Sequence, residues 1–137
     1  MDKFTLNSED AVLIVVDIQE RLAPVMKYGK QVIENTNILI AVAKDLEMPI
    51  IVTEQYPKGL GRTVPELRDN REENLTYEKI TFSAYTDEVA LALEKLGRKK
   101  IIIVGVETHG WVFQTGDGRY IAGQKLSFVT EKNNLYL

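Results

Sequence analysis

The chain has no cysteine and only one histidine among its 137 residues. Without cysteine, the sequence can form no disulfide, no zinc–thiolate centre and no thiol nucleophile. A single histidine excludes a multi-histidine metal centre. We therefore expect no catalytic metal, and the sequence predicts no cofactor.

Long apolar runs and an excess of positive charge are also missing. No run approaches the roughly 20 residues that a bilayer-spanning helix needs, and residues 1–10 lack the apolar core of a signal peptide. We therefore predict a cytoplasmic protein with no membrane partner. With 17 basic and 20 acidic residues, the formal charge of −3 argues against a general nucleic-acid surface.

The composition is that of an ordinary globular domain. Hydrophobic residues make up 45% of the chain and charged residues 27%, which is typical of soluble proteins. A chain of this length can bury a core of its own. We therefore predict one domain over residues 1–137.

Short β-branched runs alternate with helical patterns along the chain. The predicted strands are Ala11–Val16, Pro49–Thr53, Thr76–Ile80, Ile101–Val104 and Leu126–Thr130, and the predicted helices are Lys30–Glu47 and Asp87–Leu96, the second capped by Gly97. Between them, Glu54–Pro65 is rich in glycine and proline and is predicted to be a structured loop. This alternation indicates an α/β fold with a mainly parallel sheet.

Three separated motifs carry a resemblance to a known family. They are VVDIQ at Val15–Gln19, YEK at Tyr77–Lys79 and GVETHGWVFQT at Gly105–Thr115. In this order they resemble the isochorismatase-like cysteine hydrolases, and the loop TEQYPKGLG at Thr53–Gly61 is similar to one sub-branch of that family. The resemblance implies a three-layer αβα sandwich with strand order 3-2-1-4-5, with the family's sixth strand missing and the domain shortened at its C-terminus.

In that order, strands one and four are neighbours, and the chain leaves them in opposite directions. Such a point opens a crevice at the carboxyl ends of the strands, where sheets of this kind bind ligands. Asp17 and the segment Gly105–Trp111 both fall there.

The family's catalytic set is an aspartate, a lysine and a cysteine, which correspond by resemblance to Asp17, Lys79 and Trp111. A carboxylate at a strand end is partly desolvated and suits general acid–base work, although Asp17 could instead cap a turn. An ammonium beside it would favour the carboxylate and stabilise a developing oxyanion. The alternative for Lys79 is an ordinary surface side chain.

Trp111 removes the nucleophile and adds bulk where the substrate normally meets sulfur. The hydroxyls of Thr108, Thr115 and Ser83 are poor substitutes, because the sequence has no second histidine to activate them. Isochorismatases proper also lack the cysteine and use an aspartate and water on a vinyl ether. They carry a small residue at this position, however, whereas this chain carries tryptophan.

The resemblance also implies supporting residues around the site. The backbone N–H groups of Gly110 and Trp111 would open a helix and bind an oxyanion, and a non-proline cis peptide would fall at Val106–Glu107. Gln19, Tyr56 and His109 are predicted to line the pocket, with a structural role as the alternative for Tyr56 and His109.

The helix expected after Trp111 contains Gly116 and Gly118. Each glycine costs roughly 1 kcal/mol relative to alanine in a helix interior. We therefore expect that helix to be weak or broken around these residues.

Two functional hypotheses follow. The first is a hydrolase of a small amide, ester or vinyl ether, impaired by the loss of the thiol. The second is a non-catalytic family member that serves as a binding or assembly protein. By resemblance, the protein is also predicted to be a homo-oligomer.

Overall fold

The structure, a computed structural model, describes residues 8–25, 29–68, 75–80, 86–98, 100–105, 111–115, 120–123, 127–131 and 135–136. Its strands are β1 (Ala11–Val16), β2 (Ile50–Gln55), β3 (Thr76–Lys79), β4 (Lys100–Gly105), β5 (Trp111–Thr115), β6 (Tyr120–Gly123), β7 (Ser127–Glu131) and β8 (Leu135–Tyr136). Its helices are α1 (Gly29–Asp45), α2 (Pro57–Leu60), α3 (Pro65–Arg68) and α4 (Asp87–Leu96), with short 3-10 turns at Ser8–Asp10 and Ala23–Val25. Within these ranges, no helix has the length and apolarity to span a membrane.

The main sheet has the order β3-β2-β1-β4-β7. Strands β3, β2, β1 and β4 are mutually parallel, and β7 pairs with β4 in the antiparallel direction. The predicted α/β class and strand order are confirmed, because β7 is the strand expected near Leu126–Thr130. A smaller sheet has the order β6-β5-β8.

Strand β1 separates two apolar layers because its successive side chains point to opposite faces of the sheet. Ala11, Leu13 and Val15 pack with residues of α1, including Val32 and Ile40. On the other face, Val12, Ile14 and Val16 pack with Val89 and Leu93 of α4. Helices therefore cover both faces of the sheet, as the predicted three-layer arrangement requires.

The predicted limits of the second main helix are confirmed. Helix α4 spans Asp87–Leu96, and the hydroxyl of Thr86 at its N-terminus accepts a hydrogen bond from the backbone N–H of Val89. Gly97 ends the helix with a left-handed φ of 66°, a conformation that glycine adopts without a steric penalty. Gly97 is therefore the C-terminal cap that the sequence predicts.

The helix predicted to begin at Gly110–Trp111 is wrong over Trp111–Thr115, because these residues form strand β5. Strand β5 pairs with β6 in the antiparallel direction, with Trp111 opposite Gly123 and Gln114 opposite Tyr120. The run WVFQT is rich in aromatic and β-branched residues, which favour strands. The sequence GDG that follows it is typical of the connection in a hairpin.

The segment predicted as the loop Glu54–Pro65 contains more regular structure than expected. Its first residues extend β2 to Gln55, and the short helices α2 and α3 occupy Pro57–Leu60 and Pro65–Arg68. Proline stands at the first position of both helices, where its missing N–H leaves no intrahelical bond unmade. Backbone hydrogen bonds join this segment to the residues that follow β1, with the N–H of Arg21 donating to Leu60 O and the N–H of Val64 donating to Ile18 O.

Candidate active site

Asp17 lies at the carboxyl end of β1, between β2 and β4. The preceding residue, Val16, pairs with Thr53 on one side and with Gly105 on the other. Strict alternation along β1 would direct the side chain of Asp17 toward α1. Its φ of 54° is left-handed, however, and this turn of the backbone directs the carboxylate toward the α4 side instead.

The structure brings Asp17 and Lys79 together. Lys79 Nζ lies 2.8 Å from Asp17 Oδ2, and the two side chains are 2% and 0% exposed, respectively. Lys79 lies at the end of β3 on the same face as Tyr77, which packs on the α4 side. The alternative reading of Lys79 as a surface side chain is therefore wrong.

Thr53 is a partner of Asp17 that sequence reasoning missed. Its Oγ1 donates a hydrogen bond to Asp17 Oδ1 at 2.9 Å, and its carbonyl oxygen accepts from the backbone N–H of Asp17 at 3.2 Å. Thr53 is fully buried. A threonine inside an apolar strand carries no signal that separates this role from ordinary packing.

Burial raises the pKa of Asp17 above its ordinary value, because the low-dielectric interior disfavours the charged form. The ammonium of Lys79 and the hydroxyl of Thr53 act in the opposite direction, since both favour the carboxylate, while the charge of Glu54 adds to the increase. A carboxyl with a raised pKa can both give and accept a proton nearer neutral pH than an exposed aspartate can.

Glu54 is a second buried carboxylate that sequence reasoning missed. Its Oε2 accepts hydrogen bonds from the backbone N–H of Thr63 at 2.6 Å and from Thr63 Oγ1 at 2.7 Å. Its Oε1 pairs with Arg62 at 3.0 Å, and Arg62 also pairs with Glu78 at 2.6 Å. Hydrogen bonds to Glu54 and Glu78 raise the pKa of the Arg62 guanidinium.

One signal in the sequence could have found Glu54. It follows the apolar run that begins at Ile50, in the same way that Asp17 follows β1. An acidic residue after a buried strand needs a partner, and that partner comes here from the adjoining loop.

Gln19 anchors the loop that follows β2. Its Nε2 donates to the carbonyl oxygens of Gln55 at 2.9 Å and Gly61 at 2.7 Å, and its Oε1 accepts from the backbone N–H of Gln55 at 2.8 Å. A backbone bridge links Gln19 with Thr63. These bonds use both amide hydrogens of Gln19, and they fix the loop beside Asp17.

Tyr56 lies at the rim of a cavity of about 830 Å³. It has a left-handed φ of 39° and is 55% exposed. Its backbone N–H donates to the carbonyl oxygen of Lys79 at 2.8 Å. The cavity is lined by residues of α2, β3 and the start of α4, among them Lys58, Tyr77, Lys79, Thr86 and Glu88. Tyr56 therefore lines this cavity and also anchors the loop to β3, while its place in a substrate pocket stays a prediction.

The remaining predicted site residues lie outside the described residues: Val106, Glu107, His109 and Gly110. The cis peptide expected at Val106–Glu107 lies outside them too. The backbone of Trp111 begins β5, which removes the predicted helix as a source of oxyanion-binding N–H groups at that residue. The structure does, however, end β4 at Gly105, next to Val16.

The family of the chain follows from comparison with known proteins. The family model for the isochorismatase domain matches residues 11–123, which include all of β1 to β6. The chain therefore belongs to the isochorismatase family, whose hydrolase fold it has.

Several known proteins are similar to this chain. Isochorismatase domain-containing protein 1 of Salmo salar is 36% identical over 124 residues, which are 90% of this chain and 44% of that protein. The MAR1 ribonuclease structure from Caenorhabditis elegans is 40% identical, with a TM-score of 0.68 over 74% of this chain and 53% of the other. The YcaC gene product of Escherichia coli, described as an octameric hydrolase of unknown specificity, is 27% identical, with a TM-score of 0.69 over 80% and 56% of the two chains.

The matched region covers a larger share of this chain than of its relatives. The chain spans about half the length of the curated relatives that it matches. The activities of those whole proteins can therefore only be proposed for this chain.

Proposed function

We propose that residues 1–137 form one isochorismatase-like hydrolase domain for a small amide, ester or vinyl ether, impaired because Trp111 stands at the nucleophile position. The observation that carries the proposal is the buried pair of Asp17 and Lys79, with 2.8 Å between Oδ2 and Nζ. It lies beside the β1–β4 boundary, where a sheet of this order binds ligands.

Asp17 would act as the acid and base, and a water molecule would act as the nucleophile. With a vinyl ether, Asp17 protonates the vinyl carbon, water adds to the resulting cation, and the water proton returns to Asp17. The hemiketal then separates into an alcohol and a carbonyl compound. The raised pKa of Asp17 supports this role, because it retains a larger protonated fraction than an exposed aspartate would.

With an amide or ester, Asp17 would take a proton from the attacking water. Negative charge then develops on the carbonyl oxygen, and the ammonium of Lys79 stabilises it before the proton passes to the leaving group. By resemblance, Trp111 is the obstacle in both reactions, since a tryptophan stands at the sequence position at which the family has its small or nucleophilic side chain. Residual activity by the water route is therefore expected to be low.

The experiment is a hydrolysis assay of the purified chain on small amides, esters and vinyl ethers, with an RNA oligonucleotide included because a similar structure is described as a ribonuclease. Trp111→Cys restores a thiol at the nucleophile position, and Asp17→Asn removes the acid and base. Phe113→Cys is the matched control, because it adds a thiol two residues away on the same strand.

Hydrolysis that appears in Trp111→Cys, is absent in Phe113→Cys and is lost when Asp17→Asn is added would support the proposal in full. Activity of the unaltered chain that depends on Asp17 would support the water route and contradict the impairment. If no folded variant hydrolyses any substrate, with folding checked by circular dichroism, the hydrolase proposal is contradicted. Hydrolysis of RNA alone would contradict the substrate class.

A non-catalytic binding or assembly protein is the second candidate. It is favoured by the absence of any cysteine, which leaves the family's nucleophile position without a thiol. Under either function we propose a homo-oligomer, because a similar structure is described as octameric. The cytoplasmic location expected from the sequence stays a proposal. Sedimentation velocity would measure the assembly, and a monomer at micromolar concentration would contradict this part.

A further inference from the structure

The two partners of the Asp17 carboxylate differ in what they can do with a proton. Lys79 Nζ, 2.8 Å from Oδ2, is an ammonium that donates hydrogen bonds and accepts none. Thr53 Oγ1, 2.9 Å from Oδ1, belongs to a hydroxyl that both donates and accepts. The two carboxylate oxygens are therefore not equivalent.

This difference decides where Asp17 can carry a proton. A proton on Oδ2 could not be donated to Lys79, whose ammonium accepts no hydrogen bond, and within the described residues no other group bonded to Oδ2 could receive it. A proton on Oδ1 meets a hydroxyl that can turn about its Cβ–Oγ bond and accept, with the side chain otherwise in place. Of the two described partners, only Thr53 can accept a hydrogen bond from the neutral carboxyl, which favours the proton on Oδ1.

The position of the Thr53 hydroxyl is itself fixed. Thr53 is fully buried and pairs with Val16 within the parallel sheet. A β-branched side chain in a strand has restricted χ1 rotation. A second hydrogen bond joins the same two residues, because the backbone N–H of Asp17 donates to the carbonyl oxygen of Thr53 at 3.2 Å.

We propose that Thr53 is a positioning residue for Asp17, whose hydroxyl stays bonded to Oδ1 in both protonation states and keeps the exchangeable proton on that oxygen. The proposal rests on the acid and base role of Asp17 in the proposed function. Thr53 acts through Asp17 and is not assigned a contact with the substrate. It is the only group bonded to Asp17, within the part of the chain that the structure describes, that can serve as donor and acceptor in turn.

The other charged groups acting on Asp17 can be named within the described ranges. They are Lys79 from β3 and Glu54 from β2. Glu54 follows Thr53 directly, so its side chain leaves the opposite face of the strand, where Thr63 and Arg62 hold it. Substitution of the Thr53 hydroxyl therefore leaves both charges in place.

The test is a carboxyl-carbon NMR titration of the protein labelled with ¹³C aspartate, in which the Asp17 signal is identified by its loss in Asp17→Asn. Thr53→Val keeps the shape and removes the hydroxyl. Both protonation states then lose a hydrogen bond, but the bond to the charged carboxylate is the stronger one, so the titration midpoint of Asp17 is expected to rise by about 1 pH unit. Thr53→Ser retains the hydroxyl, and its midpoint should stay within about 0.3 unit of the unaltered protein.

The chain offers a matched control in Thr36, which is fully buried in α1 and whose Oγ1 has no hydrogen-bond partner among the residues that the structure describes. Thr36→Val makes the same chemical change and should leave the Asp17 midpoint where it was. Thr53→Ala serves as a second hydroxyl deletion if Thr53→Val does not fold, and it should raise the midpoint in the same direction.

The proposal is overturned if the hydroxyl deletions leave the Asp17 midpoint unchanged. It is equally overturned if Thr53→Ser or Thr36→Val raises the midpoint as much as Thr53→Val. Since the titration needs no turnover, it separates this proposal from the hydrolase proposal. If the midpoint shifts in a protein that hydrolyses none of the substrates, the positioning role of Thr53 is supported and the hydrolase proposal is contradicted.

Discussion

Asp17 combines a left-handed backbone, with a φ of 54°, with a fully buried carboxylate. Asparagine and aspartate adopt this backbone region more readily than other residues with a side chain. The same conformation turns the carboxylate toward Thr53 and Lys79, whose hydrogen bonds hold it there. At this position, backbone geometry and chemistry therefore constrain the residue type together, and asparagine is the replacement that disturbs the backbone least.

A first prediction concerns Lys79 and the pH dependence of stability. Lys79→Met removes the charge that lowers the pKa of Asp17, so burial raises that pKa further. Between the old and the new pKa, the folded variant binds a proton that the unaltered folded protein does not. The stability lost in the variant therefore grows as the pH rises through that window.

We expect urea unfolding of Lys79→Met to give a loss of about 3 kcal/mol near pH 8, where breaking a buried pair is most costly, and a smaller loss near pH 5. Lys95→Met is the control, because Lys95 is an exposed residue in the last turn of α4. It should change the free energy of unfolding by less than about 0.5 kcal/mol. A loss in Lys79→Met that does not vary with pH would contradict the coupling of the pair.

At the scale of elements, the two long helices both end at a left-handed residue, but the residue type differs. After α1, the N–H of Met48 donates to Ala43 O at 2.7 Å and the N–H of Glu47 donates to Lys44 O at 3.1 Å. This is the bond pattern of a Schellman motif, which favours glycine at its left-handed position. Helix α4 has Gly97 there, whereas α1 has Glu47 with a φ of 55°.

A second prediction follows from this contrast. Glu47→Gly should raise the free energy of unfolding by about 1 kcal/mol, because it removes the steric penalty of a side chain in the left-handed region. Gly97→Ala makes the opposite change and should lower it by a similar amount. Urea unfolding of both variants measures the two changes in the free energy of unfolding. An unchanged or less stable Glu47→Gly protein would contradict the argument.

The elements also differ in how far the sequence predicts them. The limits of β1 and α4 follow from an apolar run and from a helical pattern with an N-cap and a glycine cap, and both are confirmed. The helix expected after Gly110 came from the family resemblance, and the local preference of WVFQT for a strand prevailed. For this segment, the strand propensity of the residues predicts the observed structure and the family resemblance does not.

At the scale of the whole molecule, β1 is the central support of the structure. All of its residues are buried, and its two faces belong to separate apolar layers. The main sheet has two strands on one side of β1 and two on the other. Loss of packing in β1 therefore weakens both layers.

A third prediction compares a residue of β1 with one on the surface. Ile14→Ala should lower the free energy of unfolding by about 3 kcal/mol, because Ile14 is fully buried and its truncation leaves a cavity in the apolar layer beneath α4. Leu91→Ala is the control, since Leu91 is 58% exposed on α4, and it should cost less than about 1 kcal/mol. Equal losses in urea unfolding would contradict the assignment of the core.

The candidate site shows which parts of a whole fold a sequence can predict. Asp17 and Lys79 could be brought together beforehand because both lie at the ends of apolar strands and both match family motifs. The role of Thr53 could not be predicted, and the position of Glu54 after an apolar run signals a buried carboxylate without identifying its partners, because these contacts are made after the sheet and its loop have assembled. Buried polar contacts of this kind leave no periodic pattern in the sequence.

The ion pair of Asp17 and Lys79 joins residues that are 62 positions apart in the chain. The bonds of Gln19 to the loop after β2 span 36 and 42 positions. Closing segments of this length costs chain entropy before any contact repays it. During folding, the site therefore forms only after β1, β2 and β3 have come together. In the native state it should open only when the sheet does, so the slowest-exchanging amides of β1 and the integrity of the site should be lost in the same event.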